Sequence, residues 1–483
     1  MEIMAKKMLI DATHAEETRV VVVEGNKVEE FDFESLNKKQ LAGNIYLAKV
    51  TRVEPSLQAA FVDYGGNRHG FLAFSEIHPD YYQIPIEDRK LLIEEERAYA
   101  QQIQEESEKR ELELENELTT GEHSQDINEF MDQNEEKALD TEITNSSEAL
   151  QTAKDETNTE TADKEGSSEV NKIKPRHRRY KIQEVVKVRQ ILLIQVVKEE
   201  RGNKGAALTS YISLAGKYTV LMPNSTKTKG ISRKIASSEE RQKLKAMIEE
   251  LKLPIDMGLI VRTAGLNKTK IEIKKDVEIL KKLWNNIVNE TTKDTTIAPA
   301  LIHEEGNLIR RAIRDIYTKE MKNIFVEGHE AFNETKKYVS QLLPTCSKYV
   351  KEYKSNIPIF AKHDVESELI KMFDTTVHLK SGGYLVINPT EALVAIDINS
   401  GQSIKEVNIE KTALNTNLEA AEEIARQIKI RDLSGLIIID FIDMLSFGNR
   451  RLVERKLKEK CRTDRARIQI GRISNFGLLE MSR

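Results

Sequence analysis

Two short runs, Leu393 to Ile398 and Leu436 to Ile439, are apolar apart from an aspartate at the carboxyl end of each: Asp397 in Ala-Ile-Asp-Ile-Asn-Ser and Asp440 in Ile-Ile-Ile-Asp-Phe-Ile-Asp. Between them, Ile409 to Arg431 carries Leu414, Leu418, Ala421, Ile424 and Ile428 at helical spacing. Strand, helix and strand in that order form a crossover unit, whose length lets the two strands run parallel. Parallel strands bring both carboxylates to one rim, where open α/β sheets keep their ligand sites. Asn399, two residues after Asp397, points the same way in extended chain. Two carboxylates and an amide oxygen make a hard, oxygen-rich donor set suited to Mg²⁺. An aspartate at a strand end is most often a solvated turn or a helix cap. A charge against otherwise apolar strands, however, costs several kcal/mol unless it is paired or metal-bound. The pair therefore points to metal-dependent phosphoryl transfer.

The net charge of −5 hides a strong asymmetry. Glu94 to Glu169 holds 25 acidic and 6 basic residues; the whole chain has 79 and 74, so the remainder has 54 acids against 68 bases, a surplus of 14 positive charges. The acidic stretch is rich in Glu, Gln, Asn, Ser and Thr, has one aromatic (Phe130) after Tyr99, and shows no sustained apolar period. Such a composition buries too little surface to offset chain entropy, so residues 86–180 are expected to be a largely disordered insert, with a transient helix up to Leu118. A basic run, Lys172-Ile-Lys-Pro-Arg-His-Arg-Arg-Tyr-Lys181, closes it. The folded remainder is basic, as expected of a protein that meets a polyanion. No apolar run approaches the ~20 residues that span a bilayer, and the first residues lack a signal-peptide core. Only Cys346 and Cys461 occur, far apart, which fits a reducing cytoplasm and excludes a disulfide framework.

In the N-terminal half, Gly43–Val53, Gln58–Tyr64, His69–Phe74, Gln190–Val197 and Gly205–Ile212 read as five strands, with Gly65-Gly66-Asn67 as a hairpin signal. Five short strands with a long excursion in one connection suggest an OB-type barrel, since loop closure entropy grows slowly with length. Phe61, Tyr64, His69 and Phe71 lie around the glycine-rich turn, with Arg68 and Lys204 as nearby cations. Aromatics beside cations on a barrel face hold single-stranded nucleic acid by stacking, although a strand phenylalanine taken alone is more often core. Further on, a helix is expected over Ser238–Leu251 and a strand over Met257–Val261. The latter leads into Arg262-Thr-Ala-Gly265, where an arginine and a hydroxyl could hold a terminal phosphate. Residues 309–372 read as mainly helical, Ile309–Phe325 and Glu330–Leu343, packed with an N-terminal hairpin, Met8–Phe33.

Many of these strings together resemble the catalytic half of the bacterial ribonuclease E and ribonuclease G family. They are Phe61-Val-Asp-Tyr-Gly, His69-Gly-Phe, Glu199-Glu-Arg-Gly-Asn-Lys-Gly-Ala-Ala, Ile212-Ser-Leu-Ala-Gly, Gly230-Ile-Ser-Arg, Val261-Arg-Thr-Ala-Gly, Ala395-Ile-Asp-Ile-Asn-Ser, Asn415-Thr-Asn-Leu-Glu-Ala-Ala, Ile439-Asp-Phe-Ile-Asp-Met, Asp464-Arg-Ala-Arg-Ile-Gln and Phe476-Gly-Leu-Leu-Glu-Met-Ser-Arg483. The match covers nearly the whole chain outside residues 86–180. It implies a magnesium-dependent endoribonuclease cutting single-stranded A/U-rich RNA in rRNA and tRNA processing and mRNA decay, stimulated by a 5′-monophosphate. Asp397, Asn399 and Asp440 would be catalytic, with Asp397 and Asp440 holding Mg²⁺. Phe61, Phe71 and Lys204 would grip RNA, and Arg262, Thr263, Val220 and Arg233 would form the 5′-phosphate sensor.

The implied fold is multidomain α/β. A split RNase H-like subdomain would occupy 1–40 and 309–372, an OB-fold RNA-binding domain 41–213 with its acidic insert, a 5′-phosphate sensor 214–308, and a DNase I-like catalytic subdomain 373–483. The family's Cys-Pro-x-Cys Zn²⁺ link would follow Leu-Glu-Met-Ser-Arg483, beyond the end of this sequence, and neither Cys346 nor Cys461 can replace it. Self-association as dimer or tetramer is implied only through the family, and degradosome partners are not readable here. A cytoplasmic location is expected, with any inner-membrane contact resting on parts outside this chain. The competing classes are a non-catalytic RNA-binding scaffold and a phosphatase or exonuclease acting on chain ends, the latter yielding mononucleotides.

Overall fold

The computed structural model describes all residues except 1–5, 15, 26, 36–39, 86, 90, 93–179, 201–203, 226–228, 233–234, 236–237, 252, 255–256, 294–295 and 402–408. The expected disordered insert, its transient helix and nearly all of the basic run 172–181 therefore lie outside the described residues, as does Arg233. The chain is a mixed α/β protein that divides into two compact units, residues 1–40 with 306–483, and residues 41–305.

The chain opens with three strands, β1 (Lys6–Asp11), β2 (Glu17–Glu24) and β3 (Lys27–Ser35), joined as an antiparallel meander. Met8, Leu9, Ile10 and Val20 to Val23 are all buried. Such unbroken apolar runs suit a strand packed on both faces.

Residues 41–305 come next. β4 (Ile45–Glu54), β5 (Ala59–Asp63), β6 (Gly70–Ala73), β7 (Ile191–Lys198) and β8 (Ala207–Thr209) pair in the order β4-β5-β6-β8-β7, and β7 pairs back onto β4. The result is a closed five-stranded, OB-like barrel. A register shift between Val50 and Arg52 bends β4 enough to serve both neighbours. Ala48, Val50, Ala60, Val62, Leu72, Leu192, Ile194 and Leu208 fill the interior. Period-2 alternation then forces Phe61, between Ala60 and Val62, to the outside. Beside the barrel, β9 (Leu214–Ala215), β10 (Thr219–Met222), β11 (Lys229–Ile231) and β12 (Gly258–Val261) form a four-stranded sheet. Helices Ser238–Glu250 and Lys270–Thr291 supply core residues to it, among them Leu244, Ile273, Val277 and Leu280. The longer helix is closed by a capping box, with Thr269 and Glu272 each bonding the other's backbone N–H. β13 (Ala300–His303) pairs with β4, so the end of the 214–308 stretch adds a strand to the barrel sheet.

From residue 306 the chain rejoins its first three strands. Helix Leu308–Asp315 is followed by β14 (Asn323–Glu327), which runs parallel to β1 and to β15 (Val350–Glu352). This corrects the helix expected over Ile309–Phe325: it ends at Asp315, and the remainder supplies a strand. The alternation of buried Ile324 and Val326 with half-buried Asn323, Phe325 and Glu327 has period 2, and pairing with β1, more than 300 residues earlier, settles its conformation. Helix His329–Leu342 follows.

The last sheet has the order β16-β17-β18-β19-β21-β20, with β16 (Thr376–His378), β17 (Tyr384–Pro389), β18 (Leu393–Asn399), β19 (Leu436–Asp440), β20 (Gln469–Ile473) and β21 (Leu478–Ser482). Only β18 and β19 are parallel, joined by helix Ile409–Ile430, the crossover expected from the sequence. Val394, Ile396, Ile398, Ile437 and Ile439 pack on that helix and on helix Phe447–Cys461 in a single core. Among the described residues, no helix is long and apolar enough to cross a membrane.

Candidate active site

β18 alternates strictly. Val394, Ile396 and Ile398 face the helices, while Ala395 and Asp397 are exposed and Asn399 is half-buried on the opposite face. β19 does the same, with Ile437 and Ile439 inside and Asp440 outside. The parallel register pairs Asp397 directly with Asp440, so both carboxylates stand side by side at the carboxyl ends of adjacent strands. Asn399 Nδ2 donates to Asp397 Oδ2 at 2.9 Å, which leaves the amide oxygen turned away from the carboxylate. Partial desolvation, then the Asp397 carboxylate, then that of Asp443, hold the Asp440 carboxyl above its ordinary range.

Asp443 is a member of this group that the sequence reading had not singled out. It lies three residues beyond Asp440 on the outgoing loop and is exposed. Gly477, in the turn between β20 and β21, closes the third side. A Cβ there would sit 2.9 Å from Phe441 O, 3.2 Å from Asp443 Oδ1 and 3.7 Å from Asp440 Oδ1, and its φ is +77°. Glycine is the residue that meets both demands.

The loop bearing these acids is tied down from the crossover helix. Asn417, fully buried, donates from Nδ2 to Ile442 O at 2.8 Å and accepts from Ile442 N at 3.1 Å. Seven residues earlier on the same helix face, the Glu410 carboxylate accepts from Leu445 N, Ser446 N and Asn449 Nδ2. These bonds hold the Glu410 carboxyl below its ordinary range. Neither residue was picked out from sequence. The signal available was a polar side chain on the buried stripe formed by Ala413, Ala420, Ala421 and Ile424.

On the barrel, Phe61 and Phe71 are cross-strand partners, their rings 6.1 Å apart and edge-to-face. The pairing continues sideways, Arg52 to Phe61, Phe61 to Phe71, Phe71 to Ala207 and Ala207 to Lys198, a row across all five strands with a cation at each end. The Arg52 guanidinium lies 4.7 Å from the Phe61 ring centroid. Arg52 and Lys198 went unnamed in the sequence reading because only strand pairing brings them to the aromatics. Lys204 is exposed and precedes Gly205, where any Cβ would collide with the His69 carbonyl oxygen; Lys204 is thus held beside His69. Tyr64 is buried, and its hydroxyl donates to Glu200 Oε1 at 2.8 Å, a core role.

In the adjoining sheet, Arg262 directly follows β12 and donates from Nη1 to Gly216 O at 2.7 Å; Thr263 comes next, exposed. Val220 pairs with Ile260, so Val220, Ile260 and Arg262 share the less buried face while Thr219 and Val261 point into the core. A Cβ at Gly230, also opposite Ile260, would meet nothing within 4 Å among the described residues. The Gly216–Thr219 turn that anchors Arg262 is itself fixed by Asp276. That buried carboxylate accepts from the N–H groups of Lys217, Tyr218 and Thr219 and from the Thr219 hydroxyl.

Cys346 and Cys461 are both buried and free, and burial pushes the Cys461 thiol up to about 12. Among the described residues, no group of three or more His, Cys, Asp or Glu side chains is arranged to hold a metal. Any cation at the acid pair would rest on the Asp397 and Asp440 carboxylates and on water, the Asn399 amide serving to fix Asp397.

Comparison with known proteins gives this arrangement its context. Residues 213–483 match the Ribonuclease E/G family. Ribonuclease E of Haemophilus influenzae is 39% identical over 478 residues, 99% of this chain and 41% of that protein, and ribonuclease E of Escherichia coli is 40% identical over 99% of this chain and 37% of its own length. The chain thus spans about 40% of the length of these relatives. Ribonuclease G of Haemophilus influenzae is 31% identical over 99% of this chain and 79% of its own length. A crossover that sets Asp397 against Asp440, within a stretch matched to this family and across alignments that run nearly end to end, shows that the chain belongs to the ribonuclease E/G family.

Proposed function

We propose that this chain is an endoribonuclease that hydrolyses phosphodiesters within single-stranded A/U-rich RNA, in rRNA and tRNA processing and mRNA decay, with Mg²⁺ as its cofactor. The observation that carries this reading is the register pairing of Asp397 with Asp440, exposed at the ends of parallel strands and braced by Asn399. The donors fit the ion: all are oxygens, no imidazole or thiolate is among them, and the like charges that raise the Asp440 carboxyl are relieved by a divalent cation. A small ligand count also suits an ion that keeps several waters. When bound, Mg²⁺ lowers the pKa of a coordinated water and offsets charge on the phosphate. Asp397 and Asp440 would hold it, and Asn399, by its bond to Asp397, fixes that carboxylate and turns its own oxygen outward. Hydrolysis of this kind leaves a 5′-phosphate and a 3′-hydroxyl.

The row Arg52, Phe61, Phe71 and Lys198, with Lys204, supplies stacking faces flanked by cations, which favours unpaired RNA whose bases are free to splay. Replacing Phe61 or Phe71 by alanine is expected to weaken binding of a short single-stranded oligonucleotide by about 10-fold each, the scale of one lost stacked base. Unchanged affinity in both variants removes the barrel face from the reading. Arg262, Thr263 and Val220, with Arg233, would receive a 5′-monophosphate, supported by the open face around Gly230 and by the anchored Arg262 guanidinium. Arg262→Gln should slow cleavage of 5′-monophosphorylated RNA about 10-fold or more while sparing the 5′-hydroxyl form, as for loss of a charge-assisted bond. Equal slowing of both substrates would count against a sensor. The same reading assigns residues 1–40 and 309–372 to a split RNase H-like subdomain and 373–483 to a DNase I-like catalytic subdomain. Supporting the former is the parallel pairing of β1 with β14 across that split. The decisive assay is magnesium-dependent cleavage of an internal site in an A/U-rich oligonucleotide; release of mononucleotides alone would point to an exonuclease.

A further inference from the structure

Two exposed phenylalanines take no part in the chemistry above: Phe476 adjoins Gly477 beside the acids, and Phe447 begins the helix that follows the Asp440 loop. Phe447 is the first residue of helix Phe447–Cys461, on the loop that leaves Asp440, and is 56% exposed. Phe476 is at the tip of the β20–β21 turn and is 84% exposed. An exposed aromatic ring is costly to keep in water, and neither turn leaves its ring position loose. Ser474 Oγ accepts from Phe476 N at 3.2 Å and from Leu478 N at 3.3 Å, while Ser474 N donates to Leu478 O at 2.8 Å. Phe447 lies under two guanidinium groups, Arg451 at 4.6 Å and Arg450 at 5.8 Å from its ring centroid. Arg450, in the helix that starts at Phe447, reaches the β20–β21 turn: its Nη1 donates to Asn475 Oδ1 at 3.1 Å and to Ser474 O at 3.5 Å, and its buried Nε has no acceptor among the described residues.

A small, water-sized cavity of about 20 Å³ lies between these segments, lined among others by Asp443, Arg450, Ser474, Asn475 and Gly477. It opens beside the acids, because Gly477, the next residue after Phe476, is within 4 Å of the Asp440 and Asp443 carboxylate oxygens at its Cβ position. Asp443 is exposed, so its carboxylate would repel a phosphate but accept from the exocyclic amino group of a base. Rings for stacking, guanidinium groups that stack or meet phosphate, and an acceptor-bearing pocket are the parts of a single-strand platform.

We propose that Phe447 and Phe476, with Arg450, Arg451, Asp443 and Asn475, form a subsite for an unpaired nucleotide next to the scissile phosphodiester. The subsite lies on the catalytic unit itself, separate from the barrel row, and selects which base flanks the cut. This rests on the endoribonuclease reading, and deepens it by naming what places the strand over the acids.

The test uses the full chain and a single-stranded RNA carrying 2-aminopurine at successive positions around the cut. Stacking quenches 2-aminopurine, so wild-type protein should quench it most at one position beside the cleavage site. In Phe447→Ala/Phe476→Ala that quench should vanish, KM should rise about 10-fold with a smaller change in kcat, and cleavage should spread to neighbouring positions. Phe476→Trp, which keeps a stacking face, should restore quench and site choice, whereas Phe476→Leu, matched in polarity and expected to fold alike, should not. A double variant that cuts the same site with unchanged KM and quench overturns the subsite while leaving the nuclease reading intact. A wild-type chain that cleaves no RNA at all overturns the nuclease reading instead. If the double variant loses self-association in sedimentation but binds and cuts RNA normally, the patch is a contact between copies of the chain, and the proposal is wrong.

Discussion

Asp397→Asn and Asp440→Asn will each abolish RNA cleavage, lowering the single-turnover rate by about 10³-fold or more, while RNA affinity stays within about 3-fold of wild type. The asymmetry follows from geometry. The two carboxylates are opposed in register on parallel strands, and each variant is isosteric, so the strands and the core beneath them are undisturbed. What changes is charge: an amide would be a poor substitute for a carboxylate in the proposed hold on a divalent ion. Affinity should persist because the proposed stacking and phosphate contacts rest on other side chains, Phe61 and Phe71 among them. Asp440→Asn also removes a like charge from Asp397, so the variant should be as stable as wild type or slightly more so. Cleavage at the wild-type rate by either variant, in the presence of magnesium, would rule out the acid pair as the metal site.

Asn417→Ala will cost about 3 kcal/mol of stability and lower the melting temperature of the unit that contains it by about 10 °C. Its fully buried amide satisfies both backbone groups of the half-buried Ile442, and alanine leaves that donor and acceptor without a protein partner. The same bonds set where the loop leaves Asp440, so kcat should fall about 10²-fold at temperatures where the variant is fully folded, with KM for RNA nearly unchanged. Glu410→Ala, which releases the outer end of the loop, should act in the same direction with a smaller loss of stability because its partners are nearer solvent. A folded Asn417→Ala protein that cleaves at the wild-type rate would show that loop position is irrelevant to the acids.

The acid-bearing crossover was legible because its signals are local: two apolar runs, a helix period between them, and an aspartate at each strand end. The five barrel strands were legible for the same reason, through alternation and the Gly65-Gly66 turn, although β8 proved shorter than the Gly205–Ile212 segment expected. Residues 309–325 misled because Ile309 to Asp315 is a true amphipathic helix and nothing local says that Asn323–Glu327 is not its continuation. The strand there exists because β1 offers backbone partners, and that information lies at the other end of the chain. The bracing residues were hidden in the same way. Asp276 looks like one charge among many on a long helix until its carboxylate is found capping three backbone N–H groups near residue 218.

The chain's own residue order, then, determined by periodicity most of the strands and helices, β14 being the exception, and also that the body outside residues 94–169 is basic. Tertiary structure alone decided that Asp397 stands opposite Asp440, that Asp443 and Gly477 crowd the same corner, and that Arg52 and Lys198 flank the Phe61–Phe71 pair. The physical reason is range. Periodicity and turn chemistry act within a few residues, whereas strand register and the satisfaction of buried polar groups are settled between segments tens to hundreds of residues apart, once the core has closed.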